Sequence, residues 1–212
     1  MKKQGRPLDS KNSNVKDKLI SAALDCFSEK SFETVSIREL SKKAKVNSAM
    51  INYYFESKLG LYQEMLRKIM APMYEELEIL KSITDDDDPF KLHLETVSKI
   101  ISNDPKFIKI MIFGLANTGS PFHQFLTENF IVRIRDIFFP IILKKIETGE
   151  FREDLEPRYV FQSMISLMLH PHMMYDWAGD IFGTEDRSVF NKKVLSHSYS
   201  IFISGCRVQE SK

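Results

Sequence analysis

The sequence predicts an all-α protein, and three observations support that fold class. Apolar residues recur every three or four positions along most of the 212-residue chain, and the alternation that marks a half-buried strand is almost absent. Glycine is scarce, with 8 residues in total. Serine, asparagine and proline repeatedly stand where an apolar-periodic segment begins, as they do at helix N-termini. We therefore expect a small N-terminal helical domain followed by a larger helical domain.

Two helices are predicted before residue 45. The first spans about residues 14–30, and residues 31–35 interrupt it. Its apolar face consists of Val15, Leu19, Ala23, Cys26 and Phe27. Ser36 stands three residues before Glu39, which is the spacing of a capping box. A second, shorter helix therefore begins after Ser36 and is expected to end near Ala44.

Cap residues predict the third and fourth helices. Asn47 is a suitable N-cap for a short helix that continues to about Tyr54. Ser57 caps a longer helix over residues 58–80, and Pro72 should kink that helix.

The rest of the chain also predicts helices, separated by short breaks. The expected starts are Pro89, Pro105, Pro121, Pro157 and Glu185. The expected breaks are Asn103, residues 117–120, Gly149 and Gly179, and Pro140 should kink the helix over 121–148. The predicted domains are a basic arm at 1–12, a helical domain at 13–60 and a second helical domain at 61–212.

Charge is distributed unevenly along the chain. Residues 1–70 contain 14 basic and 8 acidic side chains, whereas the remainder contains 16 and 21. A basic N-terminal third is typical of a module that faces a polyanion. The basic N-terminus leads into no apolar run, and no stretch approaches the roughly 18 apolar residues of a membrane span. With Cys26 and Cys206 interpreted as reduced thiols, we expect a cytoplasmic protein with no membrane segment.

Residues 36–58 have the spacing of a helix-turn-helix, in which two short helices cross steeply and the second lies in the major groove of DNA. The residues that can pack inward are Ile37, Leu40, Ala44, Val46 and Ile51. The exposed positions of the second helix are then Ser48, Ala49, Met50, Asn52 and Tyr53. These short or polar groups can reach base edges and phosphates.

The same stretch resembles the DNA-binding domain of the TetR (tetracycline repressor-like) family of bacterial regulators. The matching segments are 36–41, 44–47 and 51–58 with Leu61, and the most specific element is an aromatic pair before Phe55 with Lys58 three residues beyond it. Two departures stand out. Lys45 occupies a turn position that is usually glycine, and Asn52 replaces the usual tyrosine of the recognition helix.

The resemblance implies a role for each matching residue. Arg38 is expected to read a guanine edge or to grip a phosphate. The residues expected to face bases are Ser48, Ala49 and Met50. The residues expected to hold phosphates are Ser36, Asn52, Tyr53, Tyr54 and Lys58. Arg6, in the basic arm, can lie in a minor groove as homeodomain arms do.

The C-terminal domain is expected to bind an effector and to form a homodimer. The aromatic and methionine-rich middle of the chain suits a plastic apolar pocket for a small apolar or amphipathic effector. Its candidate lining residues are Phe107, Met111, Phe125, Met164, Met168, His172 and Trp177. The candidate dimer residues are Phe161, Ile165, Phe190, Val194, Ile201 and Phe202. The resemblance implies that the helices beginning near Pro157 and Glu185 pair with the same two helices of a second subunit in a four-helix bundle. Such a two-fold dimer predicts a palindromic operator in double-stranded DNA.

Two alternatives to a DNA-binding regulator remain open at the sequence level. One is a metal-dependent helical hydrolase that uses His170, His172 and Asp176, although histidines two residues apart do not share a helical face. The other is a helical partner-binding protein without DNA activity. No nucleotide-binding or hydrolase fingerprint is present, so no catalytic residue, metal or cofactor is predicted.

Overall fold

A computed structural model describes the backbone of residues 8–82, 84 and 87–208, with side chains from residue 14 onward. Within this range, the protein is built from α-helices. In chain order they are α1 (Leu8–Phe27), α2 (Ile37–Ala44), α3 (Ala49–Phe55), α4 (Lys58–Ile69), α5 (Ala71–Leu80), α6 (Pro89–Asn103), α7 (Lys106–Leu115), α8 (Pro121–Leu126), α9 (Val132–Glu147), α10 (Pro157–Met173), α11 (Tyr175–Phe182) and α12 (Arg187–Cys206). The all-α fold class is confirmed.

The described chain divides into two compact units. The first unit contains the residues up to Ile69 together with Lys109–Phe125, and the second contains Met70–Ile108 and the chain from Leu126 onward. The single domain boundary predicted from the sequence lies near residue 60. The sequence does not indicate that a segment 40 residues farther along joins the N-terminal helices, because that segment shows only an ordinary helical pattern.

In the first unit, α1 packs against α2 and α4, and α3 packs against α4. Each of these helices has at least one fully buried apolar residue. These residues include Leu19, Leu40, Ile51 and Leu61. Beside them, the ring of Phe27 meets the ring of Tyr62 edge-on at 4.7 Å between centroids. This core fixes the position of α3, which at seven residues is too short to be stable alone.

In the second unit, α6 packs against α5, α10 and α12. Phe90 of α6 lies 5.3 Å from Phe138, 5.8 Å from Phe151 and 5.2 Å from Phe202 between ring centroids. A polar pair is buried in the same core, where His93 Nδ1 lies 2.7 Å from Glu76 Oε1. No helix among the described residues has an apolar stretch long enough to cross a membrane.

The prolines predicted to kink helices lie at or near helix irregularities, whereas one glycine predicted to break a helix lies within one. The run over 58–80 breaks at Met70, because Pro72 lies in the first turn of α5. Pro140 lies inside α9, which continues from α8 through a π-helical turn at Thr127–Ile131. The break expected at Gly179 is wrong, since Gly179 lies within α11 and the helix ends before Gly183, whose φ is +91°. A Cβ at Gly179 would meet Thr184 Oγ1 at 3.3 Å, so a larger residue here would require the Thr184 side chain to move by a few tenths of an ångström.

Candidate nucleic-acid interface

The start of α2 is fixed by the expected cap. Ser36 Oγ accepts a hydrogen bond from the Glu39 N–H at 3.1 Å. Lys30 Nζ donates to Glu39 Oε1 at 2.6 Å, and this bond is the largest cause of a lowered pKa at Glu39. The Ser36 backbone N–H lowers the same pKa, which is the reciprocal half of the capping box. Ser36 itself is exposed, so its hydroxyl can still donate to a phosphate.

α2 ends at a C-cap residue, Lys45, whose backbone is in the left-handed conformation. Lys45 has φ +56° and ψ +43°. Its N–H donates to the Lys42 carbonyl at 3.2 Å, and the Val46 N–H donates to the Ser41 carbonyl at 3.0 Å, which together form a Schellman motif. Glycine is favoured in such a position because it has no Cβ. Lys45 adopts this left-handed conformation, and the departure from glycine adds a positive charge to the turn.

α3 presents one face to the core and the other to solvent. Asn47 Oδ1 accepts from the Ala49 N–H at 2.8 Å, so Asn47 caps the helix as expected. Ile51 and Phe55 are buried, at 0% and 8% exposure. Of the five residues expected to face outward, Met50 is half-buried and the others are exposed, namely Ser48, Ala49, Asn52 and Tyr53.

The two tyrosines of α3 occupy different environments. Tyr53 is 72% exposed, whereas Tyr54 is half-buried. Their rings meet edge-on at 4.8 Å, and Lys16 Nζ of α1 lies 5.9 Å from the centroid of the Tyr54 ring. The sequence pattern does not single out Lys16. It lies three residues before the buried Leu19, so it flanks the packed face of α1.

Lys58 is held inside the first unit. Its Nζ donates to the Phe32 carbonyl at 2.7 Å and to the Val35 carbonyl at 2.9 Å, and it lies 4.2 Å from the centroid of the Phe32 ring. Next to it, Ser57 Oγ accepts from the Gly60 N–H at 3.0 Å and caps α4. Lys58 therefore ties the start of α4 to the loop before α2, and two of its three ammonium hydrogens are used within the chain.

Several cations on this side of the unit carry no counter-ion. Lys30 pairs with Glu39, and Lys43 lies 3.7 Å from Asp25. The exposed residues Arg38, Lys42 and Lys45 have no ion-pair partner in the described part of the chain. Unpaired cations of α2 and of the turn thus lie beside the exposed polar groups of α3. Arg6 lies outside the described residues.

Comparison with known proteins places this geometry in a family. Residues 19–65 match the family model described as bacterial regulatory proteins of the tetR family, and this range runs from within α1 into α4. The chain belongs to the TetR family. The helix-turn-helix and the resemblance predicted from residues 36–58 are both confirmed.

Individual relatives cover most of this TetR-family chain at low identity. A probable helix-turn-helix transcriptional regulator of Bacillus subtilis, YttP, is 23% identical over 90% of this chain and 92% of its own. The transcriptional repressor NicS of Pseudomonas putida is 25% identical over 72% of this chain and 73% of its own. The crystal structure of FadR from Bacillus subtilis in complex with stearoyl-CoA has a TM-score of 0.66 at 17% identity, over 89% of this chain and 98% of that one. This TetR-family protein is thus a DNA-binding transcriptional regulator and not an enzyme.

The residues expected to line an effector pocket fall in both units. Met111 and Phe125 are buried in the first unit. Buried members of the set in the second unit are Phe107, Met164, Met168 and His172. Trp177, by contrast, is 57% exposed and lies on α11, which has no buried residue.

His172 differs from the other candidate histidine. It is 4% exposed, and burial, followed by the nearby charge of Arg187, lowers its pKa to about 4. His170 is exposed, as is Asp176, so the residues of the hydrolase alternative do not form a buried ligand set. In the described chain, no group of three or more histidine, cysteine or acidic residues is arranged to hold a metal ion.

The expected dimer residues lie on α10 and α12, which pack against each other. Ile201 is 46% exposed. The half-buried members are Phe161, Ile165, Phe190 and Val194. Phe202 is a correction, since it is 3% exposed and its ring packs on Phe90 within its own chain, where no partner subunit can reach it.

Proposed function

We propose that this TetR-family regulator binds a palindromic operator as a homodimer, represses transcription, and is released by a small apolar or amphipathic effector. The observation that carries the DNA-binding part is the surface of the first unit described above. Exposed, unpaired Arg38, Lys42 and Lys45 lie beside the exposed face of α3. Cations of this kind supply affinity by displacing condensed counter-ions from phosphates. Its place of action is the cytoplasm, where bacterial DNA lies.

Within this surface the residues have different tasks. Ser48, Ala49 and Met50, at the N-terminal end of α3, face base edges, and the last two make apolar contacts such as those with thymine methyl groups. Residues that hold phosphates are Ser36, Asn52, Tyr53 and Tyr54, and Arg6 of the arm reaches a minor groove. Lys58 holds the start of α4 against the loop before α2 through its bonds to the Phe32 and Val35 carbonyls. Its remaining ammonium hydrogen can contact a phosphate.

The test is selection of bound sequences from a pool of random duplexes by the full chain. A recovered palindrome with half-sites about one DNA turn apart is the expected result. A pool that stays random after several rounds contradicts sequence-specific binding.

Two exposed cations of α2 provide a matched pair of variants. Lys42→Ala should weaken binding to every duplex about equally and reduce the magnitude of the salt slope by about one. Arg38→Ala should weaken binding and, where Arg38 reads a guanine, also relax preference at one base pair by roughly 1–3 kcal/mol. Wild-type affinity in both variants contradicts the assignment of this surface.

Release by an effector is tested separately from DNA binding. Support comes from NicS, which is named a repressor, and from FadR, whose structure contains stearoyl-CoA. We expect a lipophilic compound to stabilise the protein thermally and to weaken operator binding, since an effector can shift only an equilibrium whose two states it binds differently. A set of lipophilic compounds that stabilise the protein without changing operator affinity contradicts this part alone.

A further inference from the structure

A groove on the second unit has a lining unlike the apolar core beside it. It has a volume of about 490 Å³ and lies between α6 and the N-terminal half of α12. Its polar lining residues are Ser98, Ser102, Arg187, Ser188, Asn191 and Lys192. Pro105 and Leu195 supply an apolar side. None of these lining residues belongs to the DNA-binding surface or to the set expected to line the effector pocket, although Arg187 and Asn191 both act on the pKa of His172, a member of that set.

The charge of the groove lining is positive. Arg187 and Lys192 are cationic, and no lining residue is acidic. The acids nearby lie outside the lining. Asp176, which is 84% exposed at its side chain, approaches Arg187 Nη2 at 3.5 Å, and Asp186 is engaged as the N-cap of α12. Neither acid closes the groove to an anion.

Two polar atoms of the lining residues are buried without a hydrogen-bond partner. Arg187 Nη1 has none within the described residues, and the same is true of Asn191 Oδ1, although the Asn191 side chain also reaches His172, whose pKa it raises. Asn191 is only 5% exposed. Buried polar groups in folded proteins are nearly always hydrogen-bonded, so an orphaned pair beside a groove indicates a missing partner.

The Asn191 amide is well placed to be a donor. It meets Ser102 Oγ at 2.6 Å, a separation in the range of an O–H···O bond and shorter than that of most N–H···O bonds. An asparagine amide can present either end in the same position. When the serine hydroxyl donates to Oδ1, Nδ2 becomes the unpartnered end and can donate to a ligand.

We propose that the α6–α12 groove binds the oxyanion head group, a carboxylate or a phosphate, of a small organic ligand. Arg187 suits this role because its guanidinium can donate two parallel hydrogen bonds to such a group. Lys192 adds charge, the serine hydroxyls and Asn191 add donors, and the short apolar side accommodates an attached hydrocarbon segment. This site does not rest on the proposed dimer or on the proposed release from DNA.

The experiment measures binding to the full chain by isothermal titration calorimetry without DNA. The probes are hexanoate, hexyl phosphate, hexanol and hexylammonium, which share one hydrocarbon chain. We expect at least one anion to bind at least tenfold more tightly than the alcohol and the ammonium ion, and the preferred anion identifies the head group. Equal affinity for all four probes overturns the proposal.

Neighbouring lysines of α12 supply the matched control. Lys192 lines the groove, whereas Lys193 does not and pairs with Glu185. Both are exposed, so Lys192→Gln and Lys193→Gln should fold equally well and remove the same charge. Lys192→Gln should weaken anion binding at least fivefold and Lys193→Gln by less than twofold. An equal loss in both variants indicates general attraction and overturns a built site.

Discussion

Lys45 combines a positive φ with an exposed, unpaired charge at the centre of the helix-turn-helix. The left-handed conformation costs a residue with a Cβ roughly 1–2 kcal/mol, and glycine avoids that cost but loses more freedom on folding. We expect Lys45→Gly to raise the free energy of unfolding by about 0.5–1 kcal/mol. The same substitution should weaken DNA binding, because it removes a cation from the surface that faces phosphates.

The control for Lys45→Gly is Lys45→Ala, which removes the charge but keeps a Cβ. Urea unfolding should separate the two variants in stability, while DNA titrations at several salt concentrations should show the same loss for both. Equal stability of the alanine and glycine variants would mean that the backbone at this turn is not strained.

Lys58 contributes to the stability of the first unit, a role that the aromatic pair and lysine of the TetR-like motif do not indicate. Substitution by methionine keeps most of the side-chain stem but leaves the Phe32 and Val35 carbonyls without their charged donor. Hydrogen bonds to charged groups contribute roughly 1.5–3 kcal/mol, and the partial exposure of Lys58 favours the lower end of that range. We expect Lys58→Met to lower stability and to weaken binding to all duplexes alike, as measured by urea unfolding and DNA titration. Lys42→Met, on the exposed face of α2, is the control and should leave stability unchanged.

His172 makes stability depend on pH in a defined window. Its pKa is about 4 in the folded chain, against an ordinary value of 6.5, so the unfolded chain binds the proton more tightly. Stability is therefore complete above about pH 6.5 and falls as pH decreases toward 4. A tenfold change in proton affinity is worth about 1.4 kcal/mol, so the loss approaches about 3 kcal/mol.

Urea unfolding between pH 7.5 and 4.5 tests this dependence. His172→Gln should flatten the acid side of the curve, whereas His197→Gln, at an exposed position, should leave it unchanged. Identical pH curves for the wild type and the His172 variant would show that this histidine is not the group responsible.

At the scale of elements, α3 depends on its cap and on packing more than on its own length. The Asn47 side chain accepts from the Ala49 N–H, while Ser48 makes no side-chain cap bond. We expect Asn47→Ala to cost about 1 kcal/mol of stability and to lower DNA affinity, because an N-cap is worth roughly 0.5–2 kcal/mol. Ser48→Ala should leave stability unchanged, as measured by thermal unfolding. A similar loss of stability in both variants would show that Asn47 does not act through capping.

The helix starts that could be predicted from the sequence are those with local signals. Ser36, Asn47 and Ser57 act through bonds to backbone groups two or three residues away, so the starts of α2, α3 and α4 could be predicted. The partners of Lys58 lie 23 and 26 residues away, and the pattern does not specify which carbonyls they are. Gly179 was misinterpreted for the same reason, since its contact with Thr184 depends on how the chain turns after α11.

At the scale of the whole molecule, the proposed dimer depends on the apolar surface of α10 and α12. The exposed side chain of Ile201 is part of that surface, while Ile181 of α11 is 53% exposed and lies outside the predicted interface. Ile201→Asp and Ile181→Asp therefore make the same chemical change at comparable exposure. Burying a carboxylate in an apolar interface is unfavourable, so only the first should separate the subunits.

Analytical ultracentrifugation at micromolar concentration should find dimers for the wild type and for Ile181→Asp, and monomers for Ile201→Asp. A symmetric dimer holds two copies of α3 in register with two half-sites, so monomers should lose at least tenfold in affinity for a palindrome. Affinity for a single half-site should stay the same, because the first unit is untouched. A wild type that sediments as a monomer yet binds the palindrome with full affinity would exclude the two-fold arrangement.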